Sequence, residues 1–239
     1  MSRVLVTGGG SGIGRAVAQD FAARGHDVTI AGRRMDGLEE TAQGTDITCR
    51  SVDVTDEAAV DALFDAPFDI VVANAGAGKP SRVADLSLQQ WNDTLAVNLT
   101  GTFLTFRAGL RGMGQGGRLI ALASTASLQG GANIAAYVAA KHGVLGLVRS
   151  LAIEVARGGI TCNAVCPGFV DTDMGQAAVT GVMERLDVDR EKAERMVVSG
   201  NPMRRMISTD EVTAAVRFLA SPEASMVNGH ALSVSGGEI

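Results

Sequence analysis

Tyr137 and Lys141 stand four residues apart in a stretch, 135–156, that is rich in Ala, Leu and Val and free of Pro, so it reads as a helix. Residues i and i+4 share a helix face, which sets a phenol beside an ammonium. A positive charge at that range favours the phenolate and is expected to draw the Tyr137 pKa from about 10 toward neutrality. A phenol so tuned exchanges a proton with an alcohol or ketone oxygen. Ser124 follows the apolar run 118–123, which reads as a buried strand, so its hydroxyl could stand at the strand's C-terminal end and reach the same oxygen. Taken alone, Tyr-x-x-x-Lys also describes two solvated side chains on a surface helix, and the rest of the chain must decide.

A place for a phosphate comes first in the chain. The strand Arg3–Thr7 runs into Thr7-Gly8-Gly9-Gly10-Ser11-Gly12-Ile13-Gly14-Arg15, and a helical pattern with an apolar stripe follows over 16–24. Glycines let the backbone approach a pyrophosphate, and the helix start offers free N–H groups and the positive dipole end. The spacing Gly8-x-x-x-Gly12-x-Gly14 differs from the commoner Gly-x-Gly-x-x-Gly. A second strand, 27–31, ends in Gly32-Arg33-Arg34. In a dinucleotide fold an acid there bonds the ribose 2′-hydroxyl of NAD, whereas an Arg suits the 2′-phosphate of NADP. With Gly32 in the acid's place and Arg33 behind it, the sequence favours NADP(H) over NAD(H).

Further candidates fall at the ends of later strands. After 46–52, Asp53 and Val54 follow, and Asp53 either accepts from the adenine amino group or caps the helix 56–64 or a turn before it. After 69–73 come Asn74, Ala75 and Gly76, small enough for a cofactor to lie close. Asn98 sits in the middle of a long helical region, 87–111, where Asn has poor propensity; its amide either has a task there or marks a local distortion. The strand 160–165 leads to Cys166, Pro167, Gly168, Val170 and Thr172, with Thr172 placed to face the cofactor. Residues 173–206 are charged, contain methionines and read as one or two mobile helices forming a lid. A helix over 209–219 and a strand over 231–234 close the pattern.

Strands alternating with helices predict one α/β domain over 1–239, a doubly wound Rossmann-type fold with a mostly parallel sheet of about seven strands and helices on both faces. Ligands in such sheets bind outside the carboxyl ends of the strands, which is where the candidate residues gather. The composition agrees with a globular protein: 46% hydrophobic, 20% charged and 30 glycines. A net charge of −5 gives no electrostatic case for nucleic acid or an anionic membrane surface. Met1 leads directly into a strand, so neither a targeting peptide nor a membrane span is expected, and the predicted compartment is the cytoplasm. Cys49, Cys162 and Cys166 lack metal or redox spacing, and no metal is expected.

Together these residues resemble the short-chain dehydrogenase/reductase (SDR) family across essentially the whole chain. The resemblance rests on Thr7-Gly8-x-x-x-Gly12-x-Gly14, Asn74-Ala75-Gly76, Asn98, Ser124, Tyr137-x-x-x-Lys141 and Pro167-Gly168. It implies a nicotinamide cofactor and, usually, a homotetramer packed partly through the Tyr–Lys helix. It also implies roles. Tyr137 is the acid/base, Lys141 lowers its pKa and binds the nicotinamide ribose, Ser124 polarises the carbonyl, and Asn98 holds a water linking Lys141 to solvent. Many NADP-preferring members carry a basic residue before the second fingerprint glycine, where this chain has Ser11. Stretches 139–144 and 163–170 are similar to 3-oxoacyl-thioester and polyketide ketoreductases and to 3-hydroxybutyrate dehydrogenases. The expected reaction is therefore hydride transfer between NADP(H) and a ketone or secondary alcohol, the favoured substrate being a 3-oxoacyl thioester on acyl carrier protein or CoA. The alternatives are an NAD-dependent dehydrogenase of a hydroxy acid, sugar or other secondary alcohol, and a cofactor-binding regulator without turnover.

Overall fold

The computed structural model describes residues 1–239. Seven strands form one sheet: β1 (Arg3–Thr7), β2 (Asp27–Gly32), β3 (Thr48–Ser51), β4 (Ile70–Ala73), β5 (Arg118–Leu122), β6 (Thr161–Pro167) and β7 (Ala231–Val234). Their order is β3-β2-β1-β4-β5-β6-β7, and every pairing is parallel. The chain order reverses between β1 and β4. Crossovers there leave on opposite faces of the sheet, which opens a crevice at the strand ends.

Parallel strands covered on both faces must be apolar on both, and β1, β4 and β5 are buried along nearly their whole length. On one face Val6, Ile30, Val72 and Ile120 pack under α1 (Gly12–Ala23), α2 (Met35–Ala42) and α9 (Thr209–Ala220), which supply Phe21, Leu38 and Leu219. On the other, Leu5, Val71, Leu119 and Cys162 meet α5 (Gly101–Leu110) and α6 (Ala135–Val155) through Phe106, Val144 and Val148. Each such Leu or Phe contributes roughly 1.5–3 kcal/mol by leaving water. Cys162 and Cys166 are buried small apolar groups, as their even spacing on a strand suggests; burial holds their thiols protonated, at about 12 and about 11.

Several predicted boundaries move, each for a local reason. Helix α1 starts at Gly12, not Ala16, because the last fingerprint residues already form its first turn, with Ser11 at the N-cap. Helix α3 is only Glu57–Asp61; beyond it Leu63 and Phe64 bond back three residues, to Val60 and Asp61, in tight turns. The region 87–111 is not one helix. It divides into α4 (Leu88–Leu95), a π-helical turn over Ala96–Thr100, and α5. Strand β6 extends to Pro167, which ends the strand because proline has no N–H to continue the ladder.

Residues 173–206 form two helices, α7 (Asp173–Leu186) and α8 (Arg190–Val197), packed on each other through Val179 and Ala193. A parallel bridge between Val170 and Ile207 pins the base of this insertion, with Asp171 N donating to Ile207 O and Ile207 N to Phe169 O, each at 2.9 Å. No helix is long and apolar enough to cross a membrane.

Candidate active site

The glycine turn after β1 is a cradle that side chains cannot enter. Gly8 adopts φ +68°, and a methyl group on Gly14 would fall 2.2 Å from the Gly8 carbonyl oxygen. Asn74, at the end of β4, locks the turn: its Nδ2 donates to the carbonyls of Thr7 and Gly8 at 3.0 and 3.1 Å. The Thr7 hydroxyl accepts from the backbone N–H groups of Asn74 and Ala75 at 3.1 and 3.2 Å. Ser11 makes no side-chain cap, so the first N–H groups of α1 are not claimed by it. Ile13 turns inward and packs on the core. Across the turn, Thr172 caps α7 and sets its methyl 3.2 Å from where a Gly12 side chain would begin.

The cradle opens into a cleft bordered by Gly8, Ser11, Arg33, Asp53, Val54 and Gly76. Arg33 is exposed at the end of β2 and makes no ion pair. Asp53 closes a turn, accepting the N–H and hydroxyl of Thr55 through Oδ1 at 2.9 and 2.8 Å. These hydrogen bonds hold its carboxyl below the usual range. The helix cap is Asp56, which accepts from Ala59 N at 3.1 Å. Val54 is buried against Gly101. Glycine-only backbone, an open helix N-terminus and an unpaired guanidinium suit a dinucleotide with its pyrophosphate on the turn and its adenosine end toward Arg33.

The second half of the site lies beside β5 and β6. Ser124 follows β5 with an extended backbone, and its Oγ accepts from Ala126 N at 3.1 Å. Tyr137, partly buried on α6, is the residue it faces. One turn on, Lys141 is buried and donates from Nζ to Leu122 O, the last residue of β5, at 2.7 Å. Pro167 and Gly168 lie on the adjoining strand end, with Gly168 N donating to Val234 O at 3.1 Å. Val170 is buried at the insertion's base. Asn98 sits in the π turn, and its Nδ2 donates to Thr94 O at 2.9 Å and Ala77 O at 2.6 Å. Its Oδ1 is buried without a partner and lies against Gly76, as does Lys141 Nζ. Task and distortion, the two readings of Asn98, are thus one feature: the amide bonds of Asn98 accompany the bulge and fix the Asn74–Ala77 loop.

A scan of family models matches residues 8–238 to the family described as Enoyl-(Acyl carrier protein) reductase. The chain belongs to the short-chain dehydrogenase/reductases. It is 36% identical over 242 residues to 3-oxoacyl-(acyl-carrier-protein) reductase MabA of Mycobacterium avium, covering 98% of this chain and 88% of the relative. It is 34% identical over 247 residues to D-beta-hydroxybutyrate dehydrogenase of Cupriavidus necator, covering 98% and 96%. Among solved structures, an actinorhodin polyketide ketoreductase variant with NADPH superposes with a TM-score of 0.93 at 34% identity, covering 99% and 97%. This short-chain dehydrogenase/reductase is an NAD(P)-dependent oxidoreductase acting on CH–OH groups.

The electrostatics correct one expectation for this dehydrogenase/reductase. Tyr137 is not drawn toward neutrality in the ligand-free chain; burial pushes its phenol above the ordinary value, and the Ser124 hydroxyl only partly opposes this. Lys141 keeps the predicted i+4 relation, but its ammonium is spent on Leu122 O and stands 5.5 Å from the Tyr137 ring centroid. Burial lowers Lys141 itself to about 8.

Three contacts had no signal in the sequence. Arg15 bonds Gly10 O at 2.9 Å while pairing with Glu40, which ties α2 to the cradle. Gly78 lies against the Tyr137 side chain, where a methyl group would fall 2.9 Å from Cδ2. Glu238 reaches back to Gln129.

Two predictions follow from this geometry. Gly78→Val should displace the phenol and lower kcat roughly 100-fold, since misplacement by about 1 Å costs that much; NADPH binding, followed by its fluorescence, should change less than about threefold. The second concerns Lys141, whose pKa is depressed on folding. Its buried charge costs stability in full below about pH 8 and less as pH rises toward 10.5, where the unfolded chain also loses the proton. The unfolding free energy of Lys141→Met minus that of wild type, from denaturant titrations, should therefore fall by about 3 kcal/mol between pH 8 and 10.5. A pH-independent difference would contradict the buried-cation assignment.

Proposed function

We propose that the enzyme reduces a ketone to a secondary alcohol with NADPH, and that its favoured substrate is a 3-oxoacyl thioester on acyl carrier protein or CoA. The observation that carries this reading is the convergence of Ser124, Tyr137 and Lys141 beside an open helix N-terminus, on the edge of the sheet where β1, β4, β5 and β6 end. A bound nicotinamide supplies the hydride. Tyr137 gives the carbonyl oxygen its proton. Ser124 holds that oxygen with a hydrogen bond set in advance, a contribution of roughly 3 kcal/mol to the transition state. Lys141 places a positive charge behind the phenol and toward the nicotinamide ribose. Asn98, with an unpartnered Oδ1 near Lys141 Nζ, holds a water that links Lys141 to solvent, the route by which the proton is resupplied.

NADP over NAD rests on Gly32 and the unpaired Arg33; Ser11 contributes a hydroxyl where a second cation would strengthen the site. Two relatives support the thioester: the mycobacterial 3-oxoacyl-(acyl-carrier-protein) reductase and the polyketide ketoreductase. Phe169 and Met174, exposed at the base of the insertion, suit an acyl chain. Residues 173–206 are read as the substrate lid, moving about the Val170–Ile207 bridge. Phe103 and Ile153, exposed on α5 and α6, support assembly through those helices into a homotetramer.

Cofactor oxidation tests the reading, with NADPH against NADH, acetoacetyl-CoA as substrate, and simple cyclic and aryl ketones in parallel. Acetoacetyl-CoA should turn over with NADPH preferred; turnover of the other ketones alone discards the thioester. Tyr137→Phe should abolish turnover while cofactor binding persists, an outcome a non-catalytic regulator would not show. Arg33→Ala should raise the KM for NADPH about 10–100-fold, as expected for a lost charge-assisted bond, and leave that for NADH unchanged. Equal effects on both cofactors would discard the 2′-phosphate assignment.

A further inference from the structure

The last residues of the sequence fold back onto the loop that follows Ser124 and onto the end of β6. After β7, Gly236 and Gly237 adopt φ +62° and +91°, and Glu238 N bonds Ser235 O. This hook is fixed on the outlet of the α7–α8 insertion. A side chain on Gly236 would collide with Asn201, whose Oδ1 accepts from Met203 N at 2.8 Å and whose Nδ2 donates to Arg205 O at 2.9 Å.

The hook delivers one carboxylate to the meeting point of three walls. Gln129 Nε2, five residues after Ser124, donates to Glu238 Oε1 at 2.7 Å. The other oxygen, Oε2, lies 2.8 Å from where a Gly168 side chain would begin, beside the strand end that adjoins Ser124. Glu238 Cγ lies 3.6 Å from the same point on Gly200, beyond α8. No lysine, arginine or histidine pairs with Glu238. An unpaired carboxylate therefore stands between the loop that follows Ser124 and the end of β6, the two segments that flank the acid/base residues.

We propose that Glu238 is a specificity-determining residue that makes this site select neutral 3-oxoacyl esters and thioesters and reject free 3-oxo acids. The inference rests on the ketone-reductase reading above. A substrate carboxylate next to the reacting ketone would meet the like charge of Glu238 and be repelled. A thioester carries no charge there. Rejection of this kind is specificity by an introduced repulsion, added to whatever the acyl chain gains by contact.

Acetoacetate and ethyl acetoacetate differ at that one group and serve as the probes. Wild type should favour the ester by at least about tenfold in kcat/KM. In Glu238→Gln, which removes the charge and keeps an acceptor for Gln129, the ratio should narrow at least about fivefold, through a lower KM for acetoacetate. Calorimetric binding of the two ligands to the NADP-loaded enzyme should give the same ratios without turnover. That separates the two ideas, because a failure of turnover with the binding ratio intact strikes the reaction assignment and upholds Glu238. Equal binding of both ligands by wild type, or a ratio unchanged in Glu238→Gln, overturns the inference.

Discussion

A lysine ammonium buried against the end of a strand is the constraint around which the site is built. Lys141 has one backbone carbonyl, Leu122 O, as its hydrogen-bond partner and no carboxylate. Burying a cation so sparsely paired opposes folding, and the cost must be met by everything that packs around it. Helix α6 meets it with small residues on its inner face. Ala136 and Ala140 are buried, and Gly143 admits Leu99 so closely that a methyl group there would stand 2.8 Å from it. The helix can then lie near β5 and carry Lys141 behind the strand while Tyr137, one turn earlier, faces Ser124.

The same economy joins the two halves of the crevice. Asn74 spans them: its side chain closes the glycine turn, and the loop it begins passes Asn98 and Lys141 at Gly76 and Tyr137 at Gly78. Thr172 makes the second link, from the end of β6 to Gly12. Cradle and acid/base residues are thus held by two loops leaving β4 and β6, the strands on either side of β5. The parallel order of the sheet brings those loops together without any long-range ionic contact. Of the ion pairs, Arg15–Glu40 adjoins the cradle, whereas Arg111–Asp61 and Arg217–Asp20 tie other elements together.

Most of this was legible in the sequence because it is written in backbone requirements. Glycines forced by a carbonyl 2.2 Å away, β-strands without polar faces and a Pro-Gly strand end all leave residue-level marks. The strand ends therefore fell within two residues of the expected positions, β6 running on to Pro167, and the site residues gather at them. What stayed hidden depends on surroundings rather than on residue type. A mid-helix Asn suggested a distortion but not a π turn, because the turn is fixed by Ala77, a residue 21 positions away. Asp53 and Asp56 look alike as caps; only the path of the chain gives Thr55 to one and Ala59 to the other. Nothing in Gly-Gly-Glu near the end of the chain shows that it folds back on Gln129, since that contact spans 109 residues.

The Tyr137 pKa is the instructive failure. The i, i+4 argument treats the pair as if it stood on an exposed helix, where the neighbour's charge dominates. Here both groups are dehydrated, and dehydration acts on them in opposite directions: the phenol rises above its ordinary value and the ammonium falls to about 8. Their order inverts, so that lysine becomes the stronger acid of the two. No phenolate–ammonium pair forms in the ligand-free chain at neutral pH. Cys166, close to Lys141, cannot supply a counter-charge, because its thiol is itself pushed up to about 11. Charge beside either group shifts it in a known sense: negative charge near Lys141 raises it, and positive charge over Tyr137 lowers it.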